Sequence, residues 1–554
     1  MRPREPTSKF DSPGDAGSEM GSAETPQPFA VSKSTETLQY NCGNLMTFEE
    51  LLDGAEVLSR SGDPEVTGID YDSRRIRPGY AFFAIRGEMS DGNRFVDAAL
   101  KAGAVAVVTE KESASVPSDV AIARVAGGRR ALARASANLL GHPAEHLAIT
   151  GITGTNGKST TTFLLESILA AGGRKSALIG TIEYHVAGQV LPAPHTTPES
   201  LELQKIFADA VSDGATEAVM EVSSHALAQE RVFGVPFDVA VFTNLTRDHL
   251  DYHLTFEDYF AAKQRLFAGS GTEPPRVAVL NVESPYGVEL VEYSRKRGSQ
   301  LITYGLAEGD FHAAALDVTS RGTRFQLTTP DGEVAVFTPL IGQVNVYNVI
   351  AASAAAWARG CDRQAIAHGV GHLRCVPGRF ELVDCGQPFS VVVDYAHTDD
   401  ALRNLTSIAR DFVSRDGKRG RVITMFGCGG DRDRPKRPLM GEAAGKGSDF
   451  VVLTSDNPRS EDPLMVINDA LSGLQRTGTR YSMEPDRRKA IAIAIQEARS
   501  GDIVLLAGKG HEKVQVTRSG SAPFDDVIVA RELLSELGYD CKSAISVAAG
   551  RGTA

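Results

Sequence analysis

Residues 1–45 show no apolar period and are crowded with Ser, Thr, Pro, Gly and acidic side chains, a pattern that predicts a disordered tail. Periodicity begins at Met46. "MTFEELLDGAEVL" spaces apolar residues as a helix does, "VTGIDYDSRRIRPGYAFFAI" predicts two strands around a Pro78-Gly79 turn, and "FVDAALKAGAVAVVTE" predicts a helix, a glycine turn and a buried strand. Between Leu147 and about Leu373, helical patterns alternate with short apolar runs such as "EAVMEV" and "DVAVFTNL". A second alternation starts near Phe380 with "SVVVDYAH", "RVITMFGCGG", "FVVLTSDNP" and "DIVLLAGKG", each run ending in a polar or glycine-rich turn. Such alternation predicts an α/β protein built on parallel sheets with crossover helices. Ligands of open α/β sheets bind beyond the carboxyl ends of the strands, so the last four turns are expected to face one crevice. The expected division is a tail over 1–45 and three domains over 46–146, 147–374 and 375–545.

Length agrees with three domains, because 554 residues exceed one core at roughly 100–200 residues per domain. A net charge of −12 leaves no basic footprint, so no nucleic-acid partner is expected and an anionic substrate needs local cationic pockets. The cysteines at 42, 361, 375, 385, 428 and 541 form no C-x-x-C pair or metal cluster and predict scattered buried thiols of a reducing compartment. No apolar run approaches the ~20 residues of a membrane span and no charged segment leads into an apolar leader, so a soluble, cytoplasmic protein without membrane insertion is expected. A transit peptide is poor in acids, which this tail is not; a start upstream of a true beginning near Met46 accounts for it equally well.

The chemistry concentrates first in "GITGTNGKST", Gly151 to Thr160. It departs from G-x-x-x-x-G-K-[ST], since Ile152 stands where the first glycine belongs and glycines fall at 151, 154 and 157. Phosphate binding nevertheless needs only a strand, a turn exposing backbone N–H groups, a lysine, and a helix N-terminus with a hydroxyl. The expected parts are a strand over 146–150, a turn over 151–157, then Lys158, Ser159 and an amphipathic helix; a glycine turn without nucleotide is the alternative. Glu221, ending the strand "EAVMEV", suits Mg²⁺ directly or through water. "FTNLTRDHLDYH" adds Asp248, His249, Asp251 and His253, although histidine is an unusual Mg²⁺ ligand and a lone one is more often structural.

"GITGTNGKST", "HTTPES", "EVSSHALAQERV", "FTNLTRDHLDYH", "AAKQRLF", "NVYN", "PGRFE", "DYAHTDDALRN" and "GKGHE" follow one another in the order found in Mur ligases, and the resemblance runs from about Met46 to about Gly538. In that family TGTNGK[ST] is the standard form, so Ile152 is no defect. The resemblance implies a small α/β UDP-binding domain, a central P-loop-type parallel-sheet ATPase domain and a C-terminal Rossmann-like domain. It also implies an amide ligase that uses ATP to convert the terminal carboxylate of a UDP-linked muramoyl peptide to an acyl phosphate, which an incoming amine then displaces.

Carried over residue by residue, it implies ATP contacts from Gly154, Thr155, Asn156, Gly157, Lys158, Ser159 and Thr160, with Asn345 and Asn348 of "NVYN", Arg379, Asp394 and His397 at adenine and ribose. Helix capping is the plainer reading of the two asparagines. It assigns Mg²⁺ to Ser159, Glu221 and His249, and matches Lys263 to a lysine carbamylated by CO₂ (an N6-carboxylysine) that holds a second Mg²⁺; unmodified, Lys263 would be an ordinary helix-face cation. Catalysis would rest on Lys158, Lys263, His249 and Glu221. The UDP-muramoyl-peptide arm would meet Tyr71, Ser73, His195, Thr196, Thr197, Ser223, Gln229 and Arg231, whereas Glu88, Met89 and Ser90 depart from the family's usual "GH".

Within the family, "GCGGDRDRPKRPLM" and "SDNPRSEDP" resemble the members that add meso-2,6-diaminopimelate to UDP-N-acetylmuramoyl-L-alanyl-D-glutamate. The implied amino-acid contacts are Arg432, Asp456, Asn457, Pro458, Arg459, Gly508 and Glu512, with Arg459 on the distal carboxylate and Glu512 on the distal ammonium. Lysine-adding relatives lack this arginine, folate-processing relatives lack the first domain, and dipeptide-adding relatives lack "DNPR". A non-catalytic partner keeping the fold is the rival from another class, opposed by intact Lys158, Glu221, His249 and Lys263. A monomer is expected.

Overall fold

The computed structural model describes residues 45–87, 90–112, 116–319, 321–414 and 420–541. The tail, apart from Leu45, and the departing residues Glu88 and Met89 lie outside the described residues.

The first sheet has five strands, in the order Val57–Ser61, Ala121–Val125, Ala106–Thr109, Tyr80–Ala84, Gly68–Asp70. Gly68–Asp70 and Tyr80–Ala84 are both present as expected and run parallel, so Pro78-Gly79 leads into the second strand without folding a hairpin. The helical spacing after Met46 is realised for one turn only, Phe48–Leu51, closed by a capping box between Thr47 and Glu50. Gly54, at φ 70°, then reverses the chain, and the apolar pair Val57-Leu58 is drawn into the edge strand Val57–Ser61, which pairs with Ala121–Val125. Here sheet pairing overrides the local period.

The central sheet has eight strands, and Ala148–Thr153 lies between Glu217–Glu221 and Phe237–Phe242, parallel to both. Ile149 and Ile152 of that strand face different apolar clusters, which is why the run is buried throughout. The phosphate-loop boundaries shift accordingly: residues 143–146 form a short 3₁₀ turn, the strand runs two residues later than expected and on to Thr153, and the helix is Lys158–Ala171. A three-stranded antiparallel sheet, His312–Thr319, Gly322–Thr329 and Gly332–Thr338, interrupts the expected alternation.

The last sheet has six strands, and the four anticipated ones adjoin in the order Ser390–Asp394, Ile503–Ala507, Val422–Cys428, Phe450–Ser455. All four are parallel, so their carboxyl ends open on one edge, as the crevice expectation required.

The cysteine expectation needs correction. Cys385 and Cys541 form a disulfide, Cys361 and Cys428 are buried free thiols, and Cys375 is exposed. The helix Asp526–Glu536 packs on the strands around residue 385, and the segment after it, with Tyr539 against Phe389, brings Cys541 alongside. Sequence spacing carries no trace of that pairing, and a bonded pair stands where scattered unpaired thiols of a reducing compartment were expected. No helix among the described residues is long and apolar enough to cross a membrane.

Candidate active site

The irregular glycines are explained by close approach. A Cβ on Gly154, at φ 147°, would lie 1.9 Å from Thr243 Oγ1, and one on Gly157, at φ 89°, 2.4 Å from Asn348 Oδ1. The segment that follows the neighbouring strand Phe237–Phe242 holds the loop: Thr155 N–H donates to Asn244 O, Asn156 N–H to Asn244 Oδ1, and Thr243 Oγ1 to Asn156 O at 2.7 Å. Thr155 and Asn156 therefore have their N–H groups engaged, and the N–H groups left without an intrahelical acceptor are those of the helix start, the kind of end that suits an anion. Ser159 and Thr160 are buried there.

Lys158 Nζ donates to Gly154 O at 3.0 Å and to Thr155 O at 2.9 Å. Lys263, 1% exposed on the helix Phe256–Ala268, donates to Gly154 O at 2.9 Å and lies over the Tyr259 ring. Burial lowers the Lys158 ammonium below its ordinary value, opposed by Glu221. Burial, reinforced by Lys158, pushes Lys263 well below its own.

Glu221 is buried with both oxygens occupied by Thr181, through its N–H at 2.8 Å and its hydroxyl at 2.9 Å. His249 stands in the left-handed region, its Nε2 3.3 Å from Asp248 Oδ2, and burial pulls its pKa down to about 3. Among the described residues no group of three or more His, Cys, Asp and Glu side chains closes a metal cage. The buried carboxylate of Glu221 and the hydroxyl of Ser159 are oxygen donors of the kind that suits Mg²⁺, which takes its remaining ligands from phosphate and water. Asp248 also reaches the last sheet, with His397 Nε2 and Lys436 Nζ each 3.9 Å away, and burial's upward pull on its carboxyl is outweighed by His249, His397 and Lys436.

A cleft of about 360 Å³ adjoins the loop, lined by Asn156, Thr160, Asn345, Asn348, Arg379 and Asp394 among others. Asn345 and Asn348 are not caps: Gly342 holds the N-cap position of the helix Gln343–Ala358, Asn345 Nδ2 donates back to Ile341 O, and Asn348 Nδ2 donates to Asn345 Oδ1. Arg379 donates to Ser159 Oγ at 3.2 Å and lies over the Tyr395 ring. Asp394 accepts from Phe380 and Ala396 N–H, and burial raises its carboxyl against the pull of Arg379. Asn156 Nδ2 reaches Asp400 at 3.0 Å, so the cleft has walls from both sheets.

On the other side of Glu221, Thr197 Oγ1 donates to Glu221 O and accepts from Ser223 N–H, and Ser223 caps the helix Ser224–Ala228. The Thr196 Oγ1 lies 3.1 Å from the Thr181 hydroxyl oxygen, while the His195 carbonyl accepts from the Tyr184 hydroxyl and the His195 side chain is exposed. Arg231 is already engaged by Thr197 O, Gln229 and Glu199. Tyr71 bonds Glu202 at 3.0 Å, and Ser73 is half-buried on the same loop.

In the last sheet's crevice, Arg459 takes the left-handed conformation at φ 53°, donates to Gly430 O at 2.7 Å, and is held below its ordinary pKa by burial and by Arg432. Arg432 itself is exposed, donating to Asp431 O. Gly508, at φ 108°, and Pro458 flank the crevice, and Asn457 Nδ2 donates to Glu512 Oε2 at 2.7 Å. Sequence reasoning missed Lys509, which is fully buried against Asp456, Asn457 and Glu512. A lysine inside a glycine turn directly after a buried strand was the available signal.

Three family descriptions match in chain order: Mur ligase family, catalytic domain, over residues 65–149; Mur ligase middle domain over 152–356; and Mur ligase, glutamate ligase domain, over 378–510. A Solibacter usitatus protein described as UDP-N-acetylmuramoyl-L-alanyl-D-glutamate--2,6-diaminopimelate ligase is 54% identical across 86% of this chain and 94% of its own. A Geobacillus thermodenitrificans protein of the same description is 45% identical across 86% and 96%. A solved structure of a ligase so described aligns with 90% of this chain and 100% of its own at 35% identity and TM-score 0.63. MurF from Acinetobacter baumannii, at 20% identity and TM-score 0.60, shares the fold. With ordered motifs, glycine-clamped loop and near full-length identity in agreement, the chain belongs to the Mur ligase family.

Proposed function

We propose that this protein is an ATP-dependent amide ligase that adds meso-2,6-diaminopimelate to UDP-N-acetylmuramoyl-L-alanyl-D-glutamate through an acyl phosphate. The family supplies the reaction class, and the relatives' descriptions name that amino acid. The observation that carries the choice of amine is the crevice pair: a half-buried guanidinium, Arg459, on the same edge as the carboxylate of Glu512, which is anchored by Asn457. A terminus bearing both a carboxylate and an ammonium satisfies both, whereas a lone ammonium leaves the arginine desolvated without a partner.

In this reading ATP lies along the loop Gly154–Thr160 and the cleft of Asn345, Asn348, Arg379, Asp394 and His397. Lys158 neutralises phosphate charge, and Ser159, Glu221 and His249 would hold Mg²⁺, which supplies further charge neutralisation when bound. Lys263 carries a carbamate from CO₂; its amine, buried beside a second lysine, is depleted of protons and so nucleophilic toward CO₂. The muramoyl peptide runs from Tyr71 and Ser73 past 195–197 and Ser223, Gln229 and Arg231 to the acyl-phosphate position. Arg231 would then exchange its Glu199 partner for substrate. Arg432, Asp456–Arg459, Gly508 and Glu512 bind the incoming amine. The domain division follows at 46–146, 147–374 and 375–545, in a cytoplasmic monomer.

Phosphate release with UDP-muramoyl dipeptide, ATP and a panel of amino acids tests the reading. Turnover is expected with meso-diaminopimelate and requires the dipeptide. Equal turnover with L-lysine would overturn the choice of amine, and no dipeptide-dependent turnover with any amino acid would overturn the reaction.

A further inference from the structure

Lys509 has no exposed surface, yet no part of the reaction above uses it. Its Nζ lies 3.1 Å from Asn457 Oδ1, 3.1 Å from Glu512 Oε2 and 3.5 Å from Asp456 Oδ1. Asn457 Nδ2 donates to the same Glu512 Oε2, and Val516 N–H donates to Asn457 Oδ1 at 2.9 Å. Oε2 of Glu512 is thus held by two donors, while Oε1 has no partner among the described residues.

The charges matter as much as the aim. Two carboxylates, Asp456 and Glu512, meet one buried ammonium, which leaves one net negative charge beside the separate positive charge of Arg459. A buried cation is tolerated only when paired and hydrogen-bonded, so Lys509 belongs to this cluster and to nothing else.

We infer that Lys509 is a positioning residue that sets amine selectivity: it cancels one carboxylate and aims Glu512, so that the crevice matches a zwitterionic terminus rather than a lone ammonium. The inference rests on the crevice being the amine site. Without Lys509 the crevice carries a second negative charge, which favours an amine whose distal end is purely cationic and works against one that brings a carboxylate.

The test compares kcat/KM for meso-diaminopimelate and L-lysine, with KM for ATP as an internal reference. In Lys509→Met the ratio of the two is expected to fall by roughly tenfold or more, the order of one charge-assisted hydrogen bond, with KM for ATP unchanged. Lys509→Gln keeps a hydrogen-bond donor but removes the charge, and its ratio is expected to fall likewise by roughly tenfold. A merely structural role would lower both substrates together and leave the ratio alone. If wild type selects diaminopimelate and the folded variants keep that ratio, the role of Lys509 is overturned. Lys509→Gln carries the decision if Lys509→Met does not fold. Wild type that uses neither amino acid overturns the reading of the reaction instead.

Discussion

Lys158 and Lys263 donate to one and the same oxygen, the carbonyl of Gly154, at 3.0 and 2.9 Å. Burial lowers both ammonium groups, and the neighbouring charge of Lys158 lowers Lys263 further. The proposed function gives them different roles: Lys158 would serve the phosphates, and Lys263, the more strongly lowered of the two, would react as the amine.

Lys158→Ala is expected to keep the fold and to lose about 10²–10³-fold or more in ligation rate, because it removes the cation held on the Gly154 and Thr155 carbonyls. Far-ultraviolet circular dichroism and phosphate release check the two halves. Substantial activity in the folded variant would count against the assigned site.

The carbamate proposed at Lys263 would form by attack of the neutral amine's lone pair on the carbon of CO₂: an N–C bond forms, one C–O π bond opens onto oxygen, and the nitrogen releases a proton. Intact-mass analysis under bicarbonate, depletion of CO₂, and rescue of Lys263→Ala by a short carboxylic acid read the result. Activity should fall on depletion and recover in part with the acid. A rate indifferent to both treatments would exclude a working carbamate.

Arg459→Ala should lower kcat/KM for meso-diaminopimelate, while wild type discriminates against L-lysine by about a hundredfold or more. The measurement is competition between the two amino acids at fixed ATP. Unchanged use of diaminopimelate by the variant would show that another group binds the distal carboxylate.

His185 lies between Glu166, 2.8 Å from Nδ1, and Glu183, 3.0 Å from Nε2. Burial would lower its pKa, but the hydrogen bonds to both carboxylates outweigh it and raise the imidazole to about 9. A folded-state value above the unfolded one near 6.5 stabilises fully below the unfolded value, and the contribution is lost as pH rises through about 9. His185→Gln should therefore be less stable than wild type at about pH 6, on the order of 2 kcal/mol, with the gap closing near pH 10. Urea denaturation at the two pH values measures it.

Much of the site was legible because its motifs are local. "GITGTNGKST" contains its own strand end, turn and helix start, and the runs ending at Glu221, Asp394, Cys428 and Ser455 declare buried strands by composition alone. These features depend on neighbours in the chain, so the sequence determined the α/β class, the parallel character of the sheets and most of the proposed site residues.

What only the tertiary structure decided depends on partners distant in the chain. Strand order sets Ala148–Thr153 between Glu217–Glu221 and Phe237–Phe242, and that order brings Thr243 and Asn244 against the loop and makes Gly154 indispensable, while Asn348 of the helix Gln343–Ala358 does the same for Gly157. Packing of the helix Phe256–Ala268 turns Lys263 from a helix-face cation into a buried amine beside Lys158. The shortened first helix, the antiparallel sheet over residues 312–338, the Cys385–Cys541 bond and the enclosure of Lys509 arise in the same way. Periodicity reports whether a residue is buried, but the charge or oxygen that it is buried against is chosen by how the sheets are ordered and packed.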